Sequence, residues 1–211
     1  MDIDLAKYIK DFSIAFVPFL FAVTIHEFSH GYIAYKLGDN TAKLAGRLTL
    51  NPFAHIDIIG LLVLLITRLF GWAKPVPVNF NNLRNKKYGV LLVAAAGPIS
   101  NFITAIISGV IFQLLSNLSF DDMRMYNIFQ PIAYMFYFSV QINIALGVFN
   151  LIPILPLDGG RILQSLLPPD GAIRFSKLEP YGIIIVILLL MTNVVNYFIV
   201  PLIHFLVKLL V

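Results

Sequence analysis

Four long stretches of the chain are predominantly apolar, and polar segments separate them. The stretches cover residues 12–37, 88–115, 128–151 and 181–207. A helix needs about 20 consecutive apolar residues to cross the hydrocarbon core of a bilayer, and each stretch meets that length. The pattern therefore predicts an all-α polytopic membrane protein with about four transmembrane helices.

A shorter apolar run, residues 56–70, lies between the first two stretches. Its length is typical of a re-entrant segment, which enters the bilayer without crossing it. Just before it, residues 45–50 alternate between apolar and polar side chains in the manner of a short strand. Just after it, Pro75 and Pro77 favour an extended backbone with few hydrogen bonds. We therefore expect a re-entrant segment accompanied by a small β-hairpin-like element.

The composition is typical of a membrane protein and excludes a metal site with cysteine ligands. Hydrophobic residues make up 59% of the sequence and charged residues only 12%, which is more apolar sequence than a soluble domain of this size needs. The chain has no cysteine, so a zinc ion would need histidine and carboxylate ligands. We expect one domain over residues 1–211, with its core at about 12–165 and a C-terminal transmembrane helix.

The cationic side chains predict the orientation of the helices. Eleven of the 15 Lys and Arg residues lie in the segments that join the first apolar stretch to the second and the third to the fourth. Cytoplasmic loops carry the excess of such residues, so these segments are predicted to be cytoplasmic, in a multi-pass protein of the cell membrane. This prediction of orientation holds if residues 56–70 do not cross the bilayer. The same distribution accounts for the net positive charge without a nucleic-acid partner.

The first apolar stretch contains the sequence His26-Glu27-Phe28-Ser29-His30. Residues four apart lie on the same face of a helix, so His26 and His30 can hold one metal ion with two imidazole nitrogens. Glu27 lies close enough to meet a water molecule on that ion. This is the pattern of zinc hydrolases, in which the glutamate is the general base. The alternative, two histidines that only pack within the helix, is disfavoured because ionisable groups deep in an apolar run are usually functional.

A catalytic zinc ion needs a third protein ligand, and Asp158 is the best candidate. Pro153 and Pro156 interrupt the helix before it, and an unwound backbone at membrane depth is tolerated only around a cavity or a buried site. A carboxylate there would also offset the charge of the metal. The alternative for Asp158 is a helix N-cap. His55 and His204 are weaker candidates, which we interpret as structural and interfacial residues respectively.

Two amides, Asn101 and Asn150, lie within or at the ends of apolar stretches. The usual role of such amides is hydrogen bonding between transmembrane helices. The alternative is a catalytic role, in which they polarise the scissile carbonyl or hold the oxyanion. Spacing alone favours the first role and leaves the second open.

Three motifs together resemble the signatures of the site-2 protease family, whose members are intramembrane zinc metalloproteases. The motifs are His26-Glu27-x-x-His30, Gly97-x-x-x-Asn101 and Asn150-x-x-Pro153-x-x-Pro156-Leu157-Asp158-Gly159. The resemblance implies that His26, His30 and Asp158 are the zinc ligands and that Glu27 is the catalytic acid/base. It also implies that Asn101 and Asn150 assist at the site.

Two further segments resemble a compact prokaryotic branch of that family. They are Asn51-Pro52-x-x-His55-Ile56-Asp57 and the run Gly71-Trp72-Ala73-Lys74-Pro75-Val76-Pro77-Val78-Asn79. The sequence departs from the branch at Ile58 and Phe80, where proline is usual, which affects the expected path of the loops and leaves the chemistry intact.

These observations predict hydrolysis of peptide bonds in transmembrane segments of other membrane proteins, with one Zn²⁺ per chain. A substrate helix must unwind locally, and an extended edge near residues 45–50 or 72–78 could hold it by strand addition. The main rival is a metal or ion transporter built on the same buried His and Asp residues. It leaves Glu27 unexplained and lacks the internal repeats of many transporters. A second rival, an inactive zinc-stabilised scaffold, is disfavoured because all the expected catalytic residues are present. The sequence does not indicate the oligomeric state.

Overall fold

The computed structural model describes residues 5–67, 72–119 and 122–211. In chain order its helices are α1 (Leu5–Lys36), α2 (Thr41–Leu44), α3 (Ile58–Thr67), α4 (Lys86–Ser116), α5 (Met123–Asn150), α6 (Asp158–Leu166), α7 (Pro169–Ser176), α8 (Gly182–Met191) and α9 (Val200–Lys208). Single 3₁₀ turns lie at Pro52–Ala54, Phe80–Asn82 and Glu179–Tyr181, and a π-helical turn at Val195–Ile199 precedes α9.

Three of these helices are long and apolar enough to cross a membrane: Ser13–Lys36 within α1, Lys86–Ser116 and Met123–Asn150. They correspond to the first three predicted spans, so the prediction of a helical membrane protein is confirmed. The fourth predicted span, residues 181–207, is not one straight helix. It belongs to a pair of helical segments, Pro169–Met191 and Val195–Lys208, that are bent by 71° at a break.

The predicted β-hairpin-like element is wrong. Residues 45–50 form turns and bends because the chain curls back onto the end of α2: Gly46, at a φ of +66°, is followed by Arg47, whose N–H donates to the Ala42 carbonyl. This is the wrapped helix end for which glycine is favoured. Within the described ranges the only bridge of β type is a single antiparallel one between Ile56 and Ala73.

The predicted re-entrant segment, residues 56–70, contains α3. The helix begins where the Asp57 carboxylate accepts a hydrogen bond from the N–H of Gly60. Gly60 is buried against the backbone of Trp72, so the chain after the helix returns to its start. Residues 68–71 lie outside the described ranges, and with them the end of the predicted segment.

Small and polar residues lie beside a few valines and isoleucines in the interior of the helix bundle, while many large apolar residues face outward. Gly147 on α5 shows how closely the helices approach, since a Cβ atom there would lie 2.9 Å from the ring of Phe102 on α4. Buried polar side chains are Thr24, His26, Asn101, Ser108, Ser139 and Asn143 within the spanning helices. The outward face of α4 carries Ile99, Ile103, Ile106, Ile107 and Val110. This is the arrangement expected of a protein surrounded by lipid, where small residues let helices pack closely.

The two ends of the bundle can be told apart by their contacts. The end of α1 meets the start of α4, where the N–H of Arg84 donates to the Leu37 carbonyl. The C-terminus lies at the other end, where the Gln113 amide near the end of α4 donates to the Leu210 carbonyl. Gly182, at the start of α8, packs on the backbone of Leu155 beside α6. The segment from α8 to α9 therefore runs along the length of the bundle.

Candidate metal centre

His26 and His30 face the interior of the bundle from one side of α1. Their ring planes are 84° apart and their Nε2 atoms lie 3.1 Å from each other. The four-residue spacing in the helix gives this proximity, because it places the two side chains on successive turns of the same face. His26 is buried, and His30 is nearly so.

Asp158, at the start of α6, contacts the two histidines although it is distant from them in the sequence. The chain leaves helical geometry after α5 and resumes it with Asp158 as the first residue of α6. The position before it, Leu157, is the N-cap, and it makes no capping hydrogen bond through its side chain. The Asp158 carboxylate instead has Oδ2 at 3.2 Å from His26 Nε2 and Oδ1 at 3.3 Å from His30 Nε2.

The three potential ligands lie at distances that suit a tetrahedral zinc site. Zinc lies about 2.0–2.1 Å from its nitrogen and oxygen ligands, and tetrahedral geometry then places any two ligands about 3.3 Å apart. The two Nε2 atoms are 3.1 Å apart, and each has its own oxygen of the Asp158 carboxylate within 3.2 or 3.3 Å. The residues therefore fit the ion that the sequence implies. Asp158 Oδ2 is buried and has no hydrogen-bond donor among the described residues, as expected of an atom reserved for a cation.

The hydrogen bonds of the two imidazoles leave both Nε2 atoms free to bind a metal. His30 Nδ1 lies 2.7 Å from the carbonyl of Val93, and His26 Nδ1 lies 2.6 Å from Oδ1 of Asn101. Both partners accept hydrogen bonds, so each Nδ1 donates, and in the neutral rings each Nε2 carries a lone pair. Two lone pairs 3.1 Å apart repel each other unless a cation lies between them.

Gly97 on α4 makes room for the histidines. A Cβ atom at this position would collide with Nε2 of His30 and would lie 2.6 Å from Cε1 of His26. The glycine therefore lets α4 approach α1 closely enough for the carbonyl of Val93 and the amide of Asn101 to reach the two rings.

Glu27 lies in the same cavity as the three potential ligands. The cavity has a volume of about 310 Å³, and its lining also includes Asn150, Arg161, Pro75, Val76, Val78 and Phe80. Oε2 of Glu27 accepts a hydrogen bond of 2.8 Å from the backbone N–H of Val76. The carboxylate is thus held beside the histidines, on the open side of the site.

The two predicted amides occupy different places. Asn150 lines the cavity, and its amide nitrogen donates to the carbonyl of Leu146. Asn101 is fully buried behind His26, and its Nδ2 donates to the carbonyl of Ala22 and to Oδ1 of Asn143. The structure therefore brings Asn150 to the cavity and Asn101 to the back of a histidine.

The other two histidines lie outside the cluster. His55 is buried, and its Nε2 lies 2.8 Å from the carbonyl of Thr49. This contact links His55 to the turn that follows α2. His204 is exposed on α9. Neither one approaches the three potential ligands in the described part of the chain.

A segment that we call the strap, residues 72–78, crosses the site as extended chain. The Arg47 guanidinium donates to the carbonyl of Lys74, and the Lys74 N–H donates to the carbonyl of His55. Beyond the strap, Oδ2 of Asp39 accepts from the N–H of Asn79. Burial would raise the pKa of Asp39, but hydrogen bonds from Thr41, Asn82 and Asn79 hold it below its ordinary value.

The sequence analysis missed three residues of this site: Val76, Gly97 and Asn143. Val76 acts through its backbone N–H, which no side-chain pattern reveals. Gly97 was part of a quoted motif, but the need for a missing Cβ is visible only once α1 and α4 are packed. Asn143 lies seven residues before Asn150 in an apolar stretch, and the rarity of amides in such stretches was the available signal.

The chain resembles proteins that are named zinc metalloproteases. It is 39% identical over 189 residues to a protein of Bacillus subtilis (strain 168) named "Putative zinc metalloprotease YwhC", a match that covers 89% of this chain and 84% of that protein. The chain belongs to peptidase family M50. The family model matches residues 123–193, from α5 through Asp158 to the break after α8.

Two relatives of lower identity are also named zinc metalloproteases. "Putative zinc metalloprotease Rip2" of Mycolicibacterium smegmatis is 29% identical over 197 residues, with 90% of this chain and 71% of that protein covered. "Zinc metalloprotease MJ0392" of Methanocaldococcus jannaschii is 28% identical over 167 residues, with 79% of this chain and 38% of that protein covered. No solved structure matches the chain significantly. The predicted resemblance to site-2 proteases is confirmed, this M50 member is an intramembrane zinc metalloprotease, and nothing favours the transporter.

Proposed function

We propose that this M50 protease cuts transmembrane helices of other membrane proteins at a zinc ion held by His26, His30 and Asp158, with Glu27 as the general base. The observation that carries this proposal is the cluster of two Nε2 atoms 3.1 Å apart and a carboxylate with one oxygen 3.2 Å and the other 3.3 Å from them, beside a glutamate in one cavity. A transporter has no need for that glutamate.

Zinc at this site would supply Lewis-acid chemistry, polarising the scissile carbonyl and activating water for attack. The protein supplies the proton transfers. Glu27 takes the proton of the attacking water and passes it to the leaving amine, a role that general acid–base groups fill when they lie within hydrogen-bonding reach. The N–H of Val76 fixes one oxygen of Glu27, which leaves the other oxygen for the proton.

Asn150 is the better candidate for a direct catalytic role among the two amides. It faces the cavity, and among the described residues only the carbonyl of Leu146 accepts from its amide, which uses one of its two N–H groups. The second N–H group can therefore support the developing negative charge on the scissile carbonyl oxygen. Asn101 contacts the side of the His26 ring that faces away from the cavity, so we infer that its role is to orient that ring.

The substrate that fits this site is a locally unwound transmembrane helix. The cavity lies inside the bundle at one end of α1, so a peptide bond must leave its helix to reach Glu27. The strap offers an extended backbone against which such a segment can lie by strand addition. Residues 45–50 are folded into turns and are not available for this role.

We further propose four crossings of the cell membrane within a single domain. The segment that starts at Gly182 begins beside the metal centre, and the chain ends beside Gln113 at the opposite end of the bundle, so the bent pair of helices spans the same depth as α4. The end nearer the metal centre carries the larger group of cationic residues and is the cytoplasmic one.

Purified protein in lipid nanodiscs tests this function directly. Candidate single-span membrane proteins of the same membrane serve as substrates, with and without a zinc chelator. We expect cleavage within or near the transmembrane segment that the chelator stops, that added zinc restores, and that Glu27→Gln abolishes. Cleavage that persists in Glu27→Gln would contradict the proposal, and zinc flux without cleavage would favour the transporter.

A further inference from the structure

A line of buried polar groups leads away from His26 through three transmembrane helices. His26 on α1 contacts Asn101 on α4, which contacts Asn143 on α5. Asn143 in turn reaches Ser139 one turn earlier on its own helix. Asn101 and Asn143 have no exposed surface at all. Polar groups at such depth are expensive unless every one of them is paired, so this line calls for a specific explanation.

Each hydrogen bond in this line has only one possible direction. The backbone carbonyl of Ser139 can only accept, so the atom of Asn143 that lies 2.9 Å from it is the amide nitrogen. The oxygen of Asn143 is then turned toward Asn101, 2.8 Å from its amide nitrogen. The carbonyl of Ala22, 3.2 Å from the same nitrogen, also only accepts. Both N–H groups of Asn101 are therefore used.

The direction of these hydrogen bonds determines which nitrogen of His26 carries the proton. With its nitrogen held by Ala22 and Asn143, the Asn101 amide must present its oxygen to Nδ1 of His26. Nδ1 then carries the proton and Nε2 is left with a lone pair. If the Asn101 amide were reversed, Nδ1 would have to accept and the proton would move to Nε2, where it would block metal binding.

We propose that Asn143 is a positioning residue for the metal centre, which holds the Asn101 amide in the one orientation that keeps Nε2 of His26 free for zinc. It touches neither the metal nor the cavity and acts only through Asn101. This inference rests on the zinc site proposed above and adds to it a residue on α5.

Zinc affinity, measured by competition with a chromogenic chelator on purified protein in nanodiscs, tests the inference without any substrate. Groups that orient a metal ligand typically contribute about 10- to 100-fold to metal affinity or activity. Because Asn143 acts on His26 only through Asn101, we expect Asn143→Leu to weaken zinc binding about tenfold, at the lower end of this range. Asn101→Ala should weaken it at least as much.

The double variant distinguishes positioning from general packing. If Asn143 acts only through Asn101, Asn101→Ala with Asn143→Leu should bind zinc no more weakly than Asn101→Ala alone. The matched control is Ser108→Ala. It removes a buried hydrogen bond of 2.8 Å between the hydroxyls of Ser108 on α4 and Ser139 on α5, and it leaves in place the bond that Asn101 donates to Asn143. It should bind zinc as the wild type does.

A second variant covers the case in which Asn143→Leu does not fold. In Asn143→Asp a protonated carboxyl can donate to the Ser139 carbonyl and accept from Asn101, so its zinc affinity should stay within about threefold of wild type. The Co²⁺-loaded proteins provide a spectroscopic check, since a tetrahedral site gives intense visible bands that only the affected variants should change.

The outcomes separate this inference from the proposed function. Wild-type zinc affinity in folded Asn143→Leu, additive losses in the double variant, or a tenfold loss in Asn143→Asp would each overturn the role of Asn143 alone. Failure of the wild-type protein to bind zinc would overturn the metal site itself.

Discussion

The carboxylate of Glu27 accepts a hydrogen bond of 2.8 Å from the backbone N–H of Val76. The two residues lie on different parts of the fold, one on α1 inside the bundle and the other in the strap. Val76 is itself buried, and its side chain packs on Gly31, one turn after Glu27. The strap therefore positions the carboxylate that we propose as the general base, and a substrate that adds to the strap would be aligned with that carboxylate.

Glu27→Gln should separate catalysis from metal binding. Glutamine keeps the size of the side chain and can still accept from the N–H of Val76, but it cannot take a proton from water. We expect a loss of peptidase activity of about 10²- to 10⁴-fold, the typical contribution of a general acid–base group. Zinc content, by elemental analysis, should stay near one ion per chain because His26, His30 and Asp158 are intact.

Asp158→Asn is the contrasting change. An amide carries no negative charge and is a weaker zinc ligand than a carboxylate, so zinc affinity and activity should fall together. The same elemental analysis and cleavage assay detect this. His55→Asn is a useful control, since that histidine hydrogen-bonds Thr49 and lies outside the cluster. If Asp158→Asn kept full zinc occupancy under chelator competition, the carboxylate would not be a ligand.

Gly97→Ala should damage the metal centre through shape alone. The added methyl group would occupy the space of the His30 ring and lie 2.6 Å from Cε1 of His26, so α1 and α4 must separate or the rings must turn. We expect zinc affinity to fall by at least about tenfold. Gly147→Ala is the matched control, because its methyl group would lie 2.9 Å from the ring of Phe102 between α4 and α5, away from the ligands. It should lower thermal stability and spare zinc affinity.

The sequence predicted the three straight spanning helices and the potential ligands because both follow local rules. Apolar length sets the spans, and the four-residue spacing of His26 and His30 sets their common face. The break after α5, which turns Asp158 toward the histidines, could be anticipated from Pro153 and Pro156. The strand predicted at residues 45–50 could not be judged locally, because Gly46 lets the chain cap α2 and the described residues provide no partner strand. The local pattern also did not reveal the bend in the last span, whose final part packs with residues of α4 and α5 that are distant in sequence.

The pH dependence of stability should report on Asp39. Its pKa lies below the ordinary value in the folded protein, because Thr41, Asn82 and Asn79 donate hydrogen bonds to its ionised form. A group with a lowered folded pKa adds stability above its unfolded pKa, about 3.9, and loses that contribution as the pH falls through the folded value. Asp39→Asn should therefore melt at a lower temperature than wild type at pH 7, and the difference should shrink below about pH 4. A difference that is constant between pH 7 and pH 3 would contradict this.

The orientation can be tested with single cysteines, since the natural sequence contains none. Lys43 and Arg174 are exposed and belong to the segments predicted to be cytoplasmic. Met123, at the start of α5, is exposed at the opposite end of the bundle. In intact cells a membrane-impermeant thiol reagent should label Met123→Cys and spare Lys43→Cys and Arg174→Cys, and all three should react after the membrane is opened.

Because the metal centre lies near the end of α1 that carries Lys36, this result would place the catalytic cavity toward the cytoplasm. Labelling of Lys43→Cys and Arg174→Cys from outside would reverse the orientation. Labelling of only one of the two would mean that residues 56–70 cross the membrane, contrary to the predicted re-entrant segment.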